Sequence, residues 1–152
     1  MTTVTIEQVK VEQAKLADMI AKLEAQAKRT ITMPAAEIKL NEGEHYAGII
    51  LGKDGAASYH LILLPGQSDD INWANAKDWA AEAGGELPTR REQALLYANL
   101  KEQFEERYYW SSEAHASDSV FAWCQHFSYG SQDCYDVLIK LRARAVRRLE
   151  IL

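Results

Sequence analysis

Residues 84–92 read Gly-Gly-Glu-Leu-Pro-Thr-Arg-Arg-Glu, and residues 108–112 read Tyr-Tyr-Trp-Ser-Ser. The first run holds a helix stop, a proline and a helix start. Gly84 and Gly85 suit the left-handed conformation that ends a preceding helix. Pro88 fits just ahead of a new helix, and Thr89 with Glu92 has the spacing of a capping box, in which each residue satisfies the other's backbone N–H. The second run supplies aromatic bulk suited to a strand, closed by two serines.

Residues 45–51 and 58–64 are β-rich runs on either side of Lys53-Asp54-Gly55, a good hairpin turn. Pro65 and Gly66 end the second run. Asp69, Asp70 and Asn72 offer caps for a helix over residues 73–83, in which Trp73, Ala76 and Ala80 share a face. A second helix over residues 90–102 presents Leu95, Leu96, Asn99 and Leu100 on one side. Both helices are expected to pack against the hairpin sheet. Downstream, Phe121, Trp123, Gln125 and Phe127 alternate with Ala122, Cys124 and His126, the period of a half-buried strand. After a turn near Ser128-Tyr129-Gly130, residues 136–147 continue as strands. A three-residue turn there would set Cys124 opposite Cys134, where a disulfide is geometrically allowed, although two buried thiols are the expectation. Trp79, Trp110 and Trp123 are assigned to the core.

The front of the chain has a different rhythm. Ile6, Val9, Gln13, Leu16, Ile20, Leu23 and Ala27 fall at alternating steps of three and four, an a/d heptad pattern. Thr5 with Gln8 has capping-box spacing, and Val4 is placed to staple onto Val9. Glu, Lys, Gln and Asp fill most other positions, which leaves one narrow apolar seam. A helix of roughly 24 residues would be about 36 Å long, and one with so little apolar surface is marginal unless something covers it. Self-association through a coiled coil is the economical answer. Ile6 and Ile20 at a with Leu16 and Leu23 at d lean towards two strands, whereas Val9 at d and Gln13 at a blur that rule. The chain thus divides into a coiled-coil helix (residues 1–28), a connector containing Pro34 (29–42) and an α+β domain (43–152).

Composition narrows the class of function. Hydrophobic content of 47% and charged content of 26% describe a globular chain, and a formal net charge of -5 argues against a general nucleic-acid binder. Arg142, Arg144, Arg147 and Arg148 make the last strand locally basic and read as outward positions and terminal ion pairs. No apolar run approaches the ~18 residues of a membrane span, and the first residues lack the basic and apolar regions of a secretion signal. The expected compartment is therefore the cytoplasm, in agreement with only two cysteines.

The order of these motifs resembles a known family. Trp73 and Trp79 before Gly-Gly, then Leu87 to Glu92, Tyr109 to Ser112, Ala122 with Trp123, Phe127 with Gly130, and Arg142 to Arg147 are similar to the phage and bacterial domain with a C-type-lectin-like fold, related to the C-terminal domain of collagen-like bacterial adhesins. The resemblance covers about residues 43–149. It implies two helices packed on small antiparallel sheets and a non-enzymatic structural protein of a phage or prophage. That protein would be a receptor-binding module of a tail fibre or baseplate, made in the host cytoplasm and assembled into a virion. Phage fibres and lectin-like tips are commonly trimeric, which moves the expected oligomer to three, with a dimer the other possibility. The implied partners are the chain itself, other virion or tail proteins, and a host surface glycan or protein. An adaptor that docks onto a fibre through its helix is the alternative.

The wider fold includes enzymes that oxidise a cysteine with a pair of thiols, but Cys124 and Cys134 lack a neighbouring cysteine or charged partner in sequence, and His126 two residues from Cys124 makes no ligand set. Calcium-dependent sugar binding needs converging oxygens; the Glu-Pro-Asn and Trp-Asn-Asp triplets of such lectins are absent, and helix capping accounts for Asp69, Asp70 and Asn72. His45, His60, His115 and His126 lack zinc-ligand spacing. No metal, cofactor or catalytic residue is expected. The remaining candidates lie in two segments read as loops, residues 113–119 and 128–136. His115, Ser117, Asp118, Tyr129, Gln132, Asp133 and Tyr135 offer rigid aromatic contact and adaptable hydrogen bonding for a ligand.

Overall fold

The computed structural model describes residues 3–152. Met1 and Thr2, the first residues of the segment assigned to the coiled coil, lie outside the described residues. The chain falls into two compact units, Met1–Ala36 and Glu37–Leu152.

The first unit contains helix α1 (Ile6–Lys28), opened by the capping box read in the sequence. The Gln8 N–H donates to Thr5 Oγ1 at 3.2 Å, and the Thr5 N–H donates to Gln8 Oε1 at 2.8 Å. Exposed ion pairs Lys10–Glu7, Lys15–Glu12 and Lys22–Asp18 run along the helix and add a few tenths of a kcal/mol each. No residue of α1 is buried. Ile6, Val9, Leu16, Ile20 and Leu23 are between 46% and 74% exposed, so its apolar seam is bare.

The second unit is a mixed α+β fold. Its elements are β1 (His45–Ile50), β2 (Tyr59–Leu63), β3 (Ser68–Ile71), α2 (Trp73–Glu82), α3 (Arg90–Leu100), a 3-10 turn (Lys101–Gln103), β4 (Tyr108–Ala114), β5 (Phe121–His126), β6 (Gln132–Asp136), β7 (Leu141–Ala143) and β8 (Val146–Glu150). One sheet has the order β1-β2-β8, the other β3-β7-β4-β5-β6. The first is antiparallel throughout. The second departs from the expected antiparallel arrangement, because β4 and β7 pair in parallel where Tyr109 meets Arg142. Between β1 and β2, Asp54 (φ 53) and Gly55 (φ 84) are both left-handed, as a tight turn between twisted strands prefers, and the Ala56 N–H closes it on the Lys53 carbonyl at 3.0 Å.

The helices take different partners. α3 packs on β1, β4 and β5, whereas α2 packs on β3, β4 and β7 and not on the hairpin sheet as expected. Each helix has one apolar face, Ala76 and Ala80 on α2 and Leu96 and Leu100 on α3, and a helical period marks the face without naming the sheet that covers it. Strand β4 lies between them: Tyr109 joins a core with Leu61, Leu63, Leu96, Leu100 and Phe127, while Trp110 joins one with Ala76, Ala80, Leu87, Ala122 and Cys124. Successive residues of a strand point to opposite faces, so Tyr109 and Trp110 can both be fully buried only because both faces are covered.

Several expectations change with this arrangement. Asp69 and Asp70 lie in β3 and do not cap α2; Asn72 alone does, accepting the Asn75 N–H at 3.0 Å. Trp110 is a core residue, but Trp79 and Trp123 are only half-buried. The four arginines are not simply outward. Arg144 is 7% exposed and donates to the carbonyls of Gln103 at 2.6 Å and Leu64 at 2.8 Å. Arg142 pairs with Asp69 and Glu105, Arg147 with Glu44, and Arg148 with Glu86 and Glu92. The cysteines are both free thiols. Cys124 lies opposite Asp133, and Cys134 opposite Trp123. That one-residue offset from the expected register sends the two thiols to opposite faces of the sheet.

The Gly84-Gly85 stop works through two different demands. Gly84 takes the left-handed conformation (φ +92), whereas Gly85 does not; a methyl group at Gly85 would run into the Val146 carbonyl oxygen. That oxygen accepts the Glu86 N–H at 3.0 Å, and the Val146 N–H returns to the Glu86 carbonyl at 2.8 Å. Gly85→Ala is expected to lower the stability of this unit by about 1–3 kcal/mol through the forced backbone shift, measurable by urea denaturation. An Ala that melts like the parent would show that the bridge has room to move.

Candidate functional site

The β4-β5-β6 ladder sets Tyr108 opposite His126, Cys124 opposite Asp133 and Ala122 opposite Tyr135. Directly opposed residues share a face, so Tyr108, His126, Asp133 and Tyr135 gather on one side of the sheet. The Tyr108 hydroxyl donates to Asp133 Oδ2 at 3.0 Å. Its ring meets those of His126 and Tyr135 edge-on, with centroids 4.7 and 5.0 Å apart. Tyr129, in the turn after β5, stacks on His126 at 5.1 Å and is 79% exposed.

Local structure holds the patch in place. The Ser128 N–H donates to His126 Nδ1 at 3.1 Å, which fixes the ring and leaves Nε2 as the N–H in the neutral form. Tyr135 and Asp133 beside the Tyr108 hydroxyl push its pKa up, so it remains a donor at all physiological pH values. The result is a cluster of aromatic faces edged by a carboxylate and hydroxyls. Such a surface stacks on a planar or ring-shaped ligand and hydrogen-bonds its polar edge.

Three of the seven residues singled out as ligand contacts therefore meet here: Tyr129, Asp133 and Tyr135. The other four do not. Gln132 lies opposite Gln125, on the other face of the sheet. His115, Ser117 and Asp118 belong to the turn between β4 and β5, where the Ser117 N–H donates to His115 Nδ1 at 3.2 Å and the Val120 N–H to Asp118 Oδ1 at 3.0 Å. The segment read as a loop over residues 128–136 is a strand from Gln132 onward, because an edge strand tolerates the polar residues that suggested a loop. Tyr108 and His126 are the members missed; the alternation placing His126 with Cys124 on one strand face was the available signal.

The two thiols carry no sign of nucleophilic chemistry. Burial pushes Cys124 up to about 12, and burial is also the main cause of the upward shift at Cys134. Thiolates, not thiols, attack and bind metals. Among the described residues no group of three or more His, Cys, Asp or Glu stands close enough to hold a metal ion, and no helix is long and apolar enough to cross a membrane. The chain matches no protein-family model, and no curated protein matches it.

Proposed function

We propose that the protein is a non-enzymatic structural component of a phage or prophage, a receptor-binding module of a tail fibre or baseplate displayed as an oligomer. In this reading α1 gathers copies, three favoured and two the alternative, in a coiled coil; each copy presents a C-type-lectin-like domain whose aromatic patch contacts a host surface glycan or protein. The observation that carries it is the bare seam of α1: a helix of 23 residues with none buried, yet apolar at Ile6, Val9, Leu16, Ile20 and Leu23. A stripe of that kind is stable in water only when covered. Two helices set on small sheets are what the resemblance implies for the second unit. Several weak sites held together bind more tightly by orders of magnitude without new contacts.

Tyr129 offers the cleanest test of the patch. Since it is 79% exposed, Tyr129→Ala should leave the melting temperature in place while weakening adhesion to host cells or arrayed glycans about tenfold or more, as loss of an aromatic anchor does. Binding should also survive a chelator. Undiminished adhesion by the variant would remove the patch from the reading.

A second reading makes the protein a tail-fibre assembly adaptor that docks through α1 onto a different chain. Val11 and Met19 favour it: they lie off the seam and are 53% and 59% exposed, widening the apolar surface beyond the a/d stripe.

A further inference from the structure

Strand β6 forms one border of the five-stranded sheet, and β5 is its one substantial neighbour among the described residues. The alternation of an antiparallel ladder decides where its backbone points. The His126 N–H donates to the Ser131 carbonyl and the Val137 N–H to the Val120 carbonyl, both at 2.9 Å. Bonded pairs recur at every second residue, so Asp133 and Tyr135 also bond towards β5. Gln132, Cys134 and Asp136 therefore turn their N–H and C=O groups to the open side. Among these groups only the Asp136 carbonyl has a partner in the described residues, the Ile139 N–H at 3.0 Å.

The other borders are guarded. β1 and β3 break register at bulges, between Tyr46 and Gly48 and between Ser68 and Ile71, and Glu86 bridges to Val146 at the start of β8. Bulges and covering segments are the usual protection against strand addition. β6 has neither: its register with β5 is unbroken, and it holds no proline or lysine. Its two carboxylates are tied within the copy, Asp133 by the Tyr108 hydroxyl at 3.0 Å and Asp136 by the Leu138 N–H at 2.9 Å. The helices lie elsewhere, α2 on β3, β4 and β7 and α3 on β1, β4 and β5.

The residues on and beside β6 select its partner. When a second β6 is laid antiparallel with Cys134 on the twofold axis, position 133 falls opposite 135 and position 132 opposite 136. Like charges do not then oppose each other, because Asp133 meets a tyrosine and Asp136 a glutamine. Outward residues of one copy meet outward residues of the other, so each such pair can exchange main-chain bonds. The turns at the two ends of β6 carry bare apolar side chains. Apart from the C-terminal Leu152, Tyr129 and Leu138 are the most exposed large hydrophobics of this unit, at 79% and 76%. Antiparallel pairing brings the Tyr129 turn of one copy beside the Leu138 turn of the other.

We propose that β6 is a docking edge for a second copy of this chain, which joins two five-stranded sheets into one continuous sheet by strand addition. Opposed residues share a face, so the two aromatic patches come to lie side by side on one surface. The edge uses no part of α1 and stands whether or not α1 assembles. A five-residue strand is a small contact, so it holds two copies by itself only at high concentration, or where something else gathers them.

Hydrogen exchange of the full chain, read residue by residue by NMR over a rising concentration series, tests it. At the highest concentration the amides of Gln132, Cys134 and Asp136 should exchange about tenfold or more slowly, while those of Asp133 and Tyr135, bonded within one copy, keep their rates. The same series on a chain carrying Leu16→Asp and Ile20→Asp separates this contact from assembly through α1. Cys134→Lys, which sets like charges across the axis, should abolish the slowing. Leu138→Ser, at a position 76% exposed, should reduce it with an unchanged melting curve. Unslowed exchange of the three amides at every concentration in either chain, slowing that survives both variants, or slowing that appears only when an unrelated extended peptide is added would overturn the assignment.

Discussion

A chain carrying Leu16→Asp and Ile20→Asp is expected to sediment as a single copy at concentrations where the unaltered chain sediments as an oligomer. The two positions are neighbouring d and a layers of the seam, and both side chains are now about half exposed, at 58% and 48%. Covering a fully exposed Leu or Ile contributes about 1.5–3 kcal/mol, so the half still open on each is worth about 0.8–1.5 kcal/mol, and losing both removes about 1.5–3 kcal/mol per copy before the cost of enclosing a carboxylate is counted. At about 1.4 kcal/mol per factor of ten, association falls by at least tenfold to a hundredfold. Circular dichroism should report less helix, since α1 alone has little to hold it. The unit Glu37–Leu152 has its own cores and should keep its near-ultraviolet spectrum and its melting temperature. If the unaltered chain also sediments as a single copy, self-assembly is wrong and docking onto a foreign chain takes its place.

The second large effect belongs to Glu92. Its side chain is fully buried, and both oxygens are used: Arg148 Nε and Nη2 donate at 2.6 and 2.9 Å, the Tyr59 hydroxyl at 2.7 Å, and the Thr89 N–H at 2.7 Å. One carboxylate thus ties the start of α3 to β2 and β8. Glu92→Ala should destabilise the unit by about 2–4 kcal/mol, because a half-buried guanidinium loses the buried one of its two counter-ions and keeps only the exposed Glu86, with a fall in melting temperature of roughly 8 °C or more. Burial alone would raise the Glu92 pKa, but Arg148, Thr89 and Tyr59 outweigh it and hold the carboxyl below its ordinary value of 4.5. A depressed folded-state pKa gives stability that is complete above the unfolded value and lost as pH falls through the folded one. Urea melts should therefore weaken below about pH 4.5 in the unaltered protein. Glu92→Gln, which cannot ionise, should be weaker at neutral pH and show a flatter acid slope. Glu44, held down chiefly by its bonds to Arg147, accounts for slope that remains. An Ala variant as stable as the parent would mean that this network contributes nothing net.

Glu92 also marks the boundary between local and long-range information. Its spacing from Thr89 announced a helix start, and the box is present with both bonds made. Nothing near it in sequence announces Arg148, 56 positions away. Arg144 is the same case: it looked like another outward cation, and a carbonyl 80 positions earlier takes one of its donors. The patch divides in the same way. Tyr129, Asp133 and Tyr135 were legible as contact-forming residues close together in the chain, whereas Tyr108 joins them only across the β4-β5-β6 ladder, 25 positions from the carboxylate that it bonds.

Interactions over three or four residues were legible in the sequence: both capping boxes, the starts of the helices, the turn at Lys53-Asp54-Gly55, and the apolar stripe of α1. Those features depend on neighbours that the chain cannot separate. Tertiary structure alone decided which sheet each helix covers, which face each thiol takes, and which distant groups neutralise the buried charges. Strand register makes that difference, since a shift of one residue exchanges the two faces. Register is set by packing across the whole unit, which short-range spacing does not encode.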